Sequence, residues 1–122
     1  MNAQRTAEQI VDLVAGHAFV TGNEHALQAA LAEVLAAAGL TPQREARLSA
    51  QDRVDLLVGD VAVEVKVAGS LVTALRQCQR YARSPQVSAV VLTTTVPEHR
   101  QAPPAIGGKP LLVAPVSGAW LT

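Results

Sequence analysis

The chain has 122 residues, enough for one domain and too few for two ordinary ones. Hydrophobic residues make up 49%, which fills one compact core and excludes an intrinsically disordered chain. Ten Lys and Arg balance ten Asp and Glu, so no global positive field draws in nucleic acid, and such binding must come from a local patch or a bound metal.

Ala7 to Ala18 reads as a short helix with Ile10, Leu13 and Val14 on one stripe. Thr21-Gly-Asn-Glu24 has the form of a capping box opening a second helix, which runs to about Ala38 and stops at Gly39. Gln43 to Leu48 alternates weakly as a strand. Arg53 to Val58 and Val61 to Val67 are richer strands, joined by Gly59-Asp60 as a tight hairpin turn. Ser70 is placed to cap a third helix, Leu71 to Arg83, which Pro85 closes off. Val87 to Thr93 and Leu111 to Val116 read as two further strands, separated by a Pro/Gly-rich loop from about Val96 to Pro110 that is expected to be mobile. The order α-α-β-β-β-α-β-β predicts a single α/β domain over 1–122, a mixed β-sheet flanked by helices.

The only aromatics are Phe19, Tyr81 and Trp120, too few for a module that stacks successive bases on rings. Cys78 is the single cysteine, which excludes an internal disulfide and a Cys-based zinc site. The N-terminus lacks the apolar stretch of a signal peptide, and no apolar run approaches the ~20 residues of a membrane helix. A cytoplasmic protein without membrane contact is expected.

Strand side chains alternate between faces. In Val61 to Val67 the valines share one face, while Ala62, Glu64 and Lys66 share the other. In the preceding strand Val54, Leu56 and Val58 are expected on one face, with Arg53, Asp55 and Leu57 opposite. Pairing the two strands so that the Val and Leu rows meet one core brings Asp55, Glu64 and Lys66 to a common surface. A solvated salt-bridge face is the plain alternative. Chemically, two carboxylates on adjacent strands suit Mg²⁺ or Mn²⁺, which prefer hard oxygen ligands. Such a metal polarises a phosphodiester and activates a water, and Lys66 can orient that water or stabilise charge on the phosphate.

Asp55, eight residues, then Glu64-Val-Lys66 resembles the D-x(n)-E-x-K signature of the PD-(D/E)XK (restriction-endonuclease-like) nuclease superfamily, although Val54 stands at the "P" position. Gln77-Cys-Gln-Arg-Tyr81, on the helix that follows, resembles the QxxxY motif of the superfamily's RecB-like branch. The resemblance spans roughly Asn23 to Thr93. It implies a deoxyribonuclease that uses Mg²⁺ or Mn²⁺ and attacks with a metal-activated water. Asp55 and Glu64 are then metal ligands, with the Val65 carbonyl as a further one. Lys66 positions the water, and Gln77 and Tyr81 support Lys66 or the phosphate.

The family's usual third acid comes from a helix before the hairpin. Helical spacing puts Glu24 on the inward stripe of Leu31 and Leu35 and turns Glu33 outward. Glu24 is either a metal ligand, as the resemblance implies, or only the partner of Thr21 in the capping box. Glu45 is read as an ion-pair partner of Arg47 or an outer acid of the site. Asp52 is read as a turn residue, His25 as solvated and Cys78 as core. Arg76, Arg80 and Arg83 cluster on the outer face of the third helix and form the expected DNA-binding patch. So short a chain grips little of a duplex alone, so a homodimer or a place in a larger nuclease assembly is expected. The rival expectation is a non-catalytic nucleic-acid- or protein-binding subunit on the same fold.

Overall fold

The computed structural model describes residues 2–20 and 22–117. Among them three helices and six strands form one mixed sheet, in the chain order α1 (Ala3–Ala15), α2 (Glu24–Ala37), β1 (Pro42–Arg47), β2 (Arg53–Val58), β3 (Val61–Lys66), α3 (Leu71–Ala82), β4 (Ala89–Thr94), β5 (Ala105–Ile106) and β6 (Lys109–Pro115). The strands lie in the order β1-β2-β3-β4-β6-β5. β1, β2 and β3 form an antiparallel meander, β3-β4 and β4-β6 are parallel, and β5 closes the far edge against β6.

Each helix starts on a side-chain cap that satisfies an otherwise orphaned amide. Asn2 accepts from Arg5 N at 2.8 Å, so α1 begins at Ala3 rather than Ala7. Asn23 accepts from Ala26 N at 3.0 Å and is the cap of α2. The expected cap Thr21 lies outside the described residues. Ser70 caps α3 through Thr73 N at 3.1 Å, as its position predicts.

Two cores sandwich the sheet. Ile10 and Val14 of α1 and Leu27, Leu31 and Leu35 of α2 pack on Leu56, Val58, Val61, Val63 and Val65. On the other face, Ala74, Cys78, Tyr81 and Ala82 of α3 pack on Ala62, Val90 and Leu92. Val61, Val63 and Val65 are fully buried, and each contributes ~2 kcal/mol by leaving water. No described helix is long and apolar enough to cross a membrane.

Two expectations are corrected. Val54 does not join Leu56 and Val58 but packs with Ala46 in the α3-side core. The reason lies opposite: Glu45 has φ 52, a left-handed conformation, and the β1-β2 register passes from Arg44↔Leu56 to Ala46↔Val54 across it. The change of side coincides with that unpaired position: Ala46 and Val54 beyond it join the α3-side core, while Leu56 and Val58 before it join the other. The segment from Val96 to Pro110 is also folded. It holds a 3₁₀ helix, Pro97–Gln101, and a β5-β6 hairpin turning at Gly107 and Gly108, with φ of 55 and 77. At Gly107 a methyl would sit 3.2 Å from the Cβ of Ala82, a tight contact added to the backbone conformation that favours glycine there.

Candidate active site

The β2-β3 register pairs Leu56 with Val63, and one step further sets Asp55 opposite Glu64 at the open end of the ladder. Lys66 follows two residues on, at the C-terminal end of β3 and beside Thr94 of β4. Asp55 Oδ2 accepts from Val65 N at 2.8 Å. Glu64 is 3% exposed, and both of its oxygens are engaged. The Tyr81 hydroxyl donates to Oε1 at 2.8 Å, and Lys66 Nζ lies 3.2 Å from Oε2. Hairpin and following helix thus bring Asp55, Glu64, Lys66 and Tyr81 together.

This burial is electrostatically unfavourable for the acids. The Glu64 carboxyl is pushed up to about 7, chiefly by burial and then by the negative Asp55; Tyr81 and Lys66 pull it back. Asp55 is also raised, first by burial, with the Val65 amide and Glu64 opposing and the charges of Glu45 and Glu24 adding to the rise. Two coupled carboxylates in this position titrate as a pair. Burial and the neighbouring Glu64 charge raise the Tyr81 phenol as well, so it remains a donor. The same two causes push the Cys78 thiol up to about 12, which keeps it an inert core residue.

The remaining expected residues fall into place unevenly. Glu24 sits at the start of α2 and reaches the end of β3, where its Oε2 accepts from Val67 N at 3.3 Å. Val65 enters the site through its amide, while its side chain belongs to the α1-α2 core. Gln77 does not support Lys66: its Oε1 is buried with no hydrogen-bond partner, so its carbonyl does not hold the ammonium. Tyr81 supports Glu64 rather than Lys66. Arg80 is bound to Asp52 at 2.9 Å, which makes Asp52 an ion-pair partner beside its turn rather than a rival site acid. Arg76 and Arg83 are exposed on the outer face of α3, and His25 is exposed. Glu45 pairs with Arg53 at 3.1 Å, not with Arg47, because its left-handed backbone turns the side chain across the strands.

Three features are absent from the sequence reading. Gln28 is 4% exposed; its Nε2 donates to Glu45 at 2.8 Å, and its Oε1 accepts from Arg44 Nε and Nη2 at 3.1 and 3.0 Å. The signal was available: Gln28 lies one turn from Glu24 and Leu31 on the inward stripe. Arg53 is exposed and pairs with Glu45, and its carbonyl lies 3.4 Å from the Tyr81 hydroxyl. Fully buried His99 links Thr94 to Gly69; its isolation among prolines and polar residues gave no sign of that.

Among the described residues no three His, Cys, Asp or Glu side chains form a group that could hold a metal ion. Mg²⁺ does not require one, since one or two carboxylates with water and substrate phosphate commonly complete its shell. Asp55 and Glu64 fit such an ion chemically: two hard, mutually repelling carboxylates whose charge a cation would relieve, each oxygen keeping a further lone pair beside its present donor. Comparison with protein-family models, curated proteins and solved structures returned no match.

Proposed function

We propose that this chain is a metal-dependent nuclease of the restriction-endonuclease-like class, hydrolysing phosphodiester bonds in DNA. The observation that carries the reading is the convergence of Asp55, Glu64 and Lys66 at one end of the sheet, with Tyr81 anchored on Glu64. The finer fold reading is supported by the β1-β2-β3 meander, whose last two strands carry the D-x(n)-E-x-K residues. It is followed by α3 and a parallel β4.

In this proposal Asp55 and Glu64 would hold Mg²⁺ or Mn²⁺, with Glu24 and the Val65 carbonyl as the further oxygen ligands the resemblance implies. A divalent ion there supplies Lewis-acid stabilisation of charge on the phosphate. Lys66, 16% exposed at its side chain, would place its ammonium where charge develops during attack. Val65 N–H fixes one Asp55 oxygen, and Tyr81 fixes one Glu64 oxygen, so neither carboxylate must reorient when substrate arrives. A homodimer or a larger nuclease assembly would supply the surface that one small chain lacks; light scattering with and without DNA checks it.

One observation favours a second reading. Glu64 is already satisfied on both oxygens by Lys66 and Tyr81, an arrangement that also serves a non-catalytic nucleic-acid- or protein-binding subunit. The deciding experiment is cleavage of plasmid, linear duplex, single-stranded and branched DNA with Mg²⁺, Mn²⁺ or chelator, comparing wild type with Lys66→Ala and Asp55→Ala. Cutting that needs metal and disappears in both variants supports the nuclease. Folded wild type that cuts none of these substrates supports the subunit.

A further inference from the structure

β1 and β2 place Arg47 directly opposite Arg53. Facing residues of an antiparallel pair project to the same side, and like charges placed so are unfavourable unless an anion lies between them. Glu45 supplies part of that anion. It meets Arg53 at Nε, and among the described residues no acceptor meets Arg53 Nη1 or Nη2. Arg47 has only the carbonyl of Ala50, at 3.3 Å. Both arginines are exposed. Arg44, also on β1, is held by Gln28, so this edge carries three guanidinium groups against one carboxylate.

The edge adjoins the acids. Tyr81, which donates to Glu64, also lies 3.4 Å from the Arg53 carbonyl, and the charge of Glu45 acts on Asp55. Glu45 is held at φ 52, where a non-glycine residue is strained, by Gln28 on one oxygen and Arg53 on the other. A strained residue fixed by two side chains beside a charge site fits a placed counter-charge that keeps Arg53 extended. Arg80, by contrast, is neutralised by Asp52, and Arg76 and Arg83 stand singly on the outer face of α3.

We infer that Arg47 and Arg53 form a clamp for one backbone phosphate of the nucleic acid, at the mouth of the Asp55–Glu64–Lys66 site. The Arg53 guanidinium faces Glu45 as an ion pair on its Nε side and leaves its Nη side for a phosphate oxygen, a division that an ammonium cannot make in the same geometry. The inference rests on the nuclease reading for its substrate.

Its test is fluorescence anisotropy with labelled duplex and single-stranded DNA, in Ca²⁺, across a salt series, with cleavage in Mg²⁺ measured in parallel. Arg53→Gln and Arg47→Gln are each expected to weaken binding and to lower the slope of log affinity against log salt by about one. Arg53→Lys is expected to keep the slope, because it keeps the charge, and Arg5→Gln on α1 is expected to match wild type. Circular dichroism melts confirm that each variant folds. Wild-type slopes in both glutamine variants, or slope loss confined to Arg76→Gln and Arg83→Gln, overturn the clamp while leaving the nuclease reading to its cleavage result. Wild type that neither binds nor cuts DNA overturns both.

Discussion

Tyr81 and Lys66 hold opposite oxygens of Glu64, at 2.8 and 3.2 Å, so helix and strand together fix one carboxylate. Removing the phenol tests the helix's share. Tyr81→Phe leaves a buried charged acceptor short of a donor, a loss of about 1.5–3 kcal/mol for a bond of this kind. Activity is expected to fall by about ten- to a hundredfold. Since the Tyr81 bond holds the Glu64 carboxyl down, its removal lets that group rise further. The acid limb of the pH–rate profile then moves to higher pH, a shift that simple loss of stability does not produce. An unmoved limb with full activity would show that Tyr81 only fills space.

The raised acids also set a stability profile. Glu64 goes from an ordinary 4.5 to about 7 on folding, so the folded state prefers its protonated form. That contribution is fully present below about 4.5 and is lost as pH rises through about 7, up to ~3 kcal/mol across the window. Metal-free protein in chelator is therefore expected to melt at progressively lower temperature over this range. Mg²⁺ or Mn²⁺ should restore most of the loss at pH 7, and Glu64→Gln should flatten the profile. Calorimetry at stepped pH reads all three, and a flat wild-type profile would remove the electrostatic case for a cation site.

The strands and their chemistry were legible because valine alternation leaves few places for charge, so Glu64 and Lys66 stood out by parity, and Asp55 by its place on the partner strand of the hairpin. Helix caps followed local rules, and Ser70 and Gly39 act where their positions predict. Parity failed at Val54, because the sequence does not announce that Glu45 adopts a left-handed backbone. The same conformation hid the Glu45–Arg53 pair, since its partner follows from a rotation of the strand rather than from spacing. Arg80 and Asp52 are 28 residues apart and meet only once α3 crosses the sheet, so the outer arginine face was legible but its neutralisation was not.

Gln28 is the hub of the β1 edge. Its side chain accepts two bonds from Arg44 and donates one to Glu45 while almost fully buried. Gln28→Leu keeps the volume and strips all three bonds, leaving Glu45 held in its strained conformation by Arg53 alone. Stability is expected to fall by about 2 kcal/mol, within the range for buried polar groups left unpaired. Glu45→Gly in that background relieves the backbone strain and should recover about 1 kcal/mol. Urea denaturation of the two variants checks this; equal stability of Gln28→Leu and wild type would mean that the network contributes nothing to the fold.

His99 ties the far side of the site. Its Nε2 lies 3.0 Å from the Gly69 carbonyl, which can only accept, so Nε2 carries the proton. Nδ1 lies 2.8 Å from Thr94 Oγ1, which also accepts from Val96 N at 3.0 Å. Gly69 leads into the Ser70 cap of α3, and Thr94 neighbours Lys66 in the sheet. The ring therefore joins the start of the helix carrying Tyr81 to the strand beside Lys66. His99→Phe fills the space but takes the ring donor from the Gly69 carbonyl and leaves the Thr94 hydroxyl only its bond from Val96 N, an expected cost of about 1–2 kcal/mol. His99→Gln, which can donate and accept, should recover part of it. Hydrogen exchange should report the loss first at Ser70 to Ala74, where the cap loosens. Protection there equal to wild type, with stability reduced everywhere alike, would show that His99 serves the core in general and not the seating of α3.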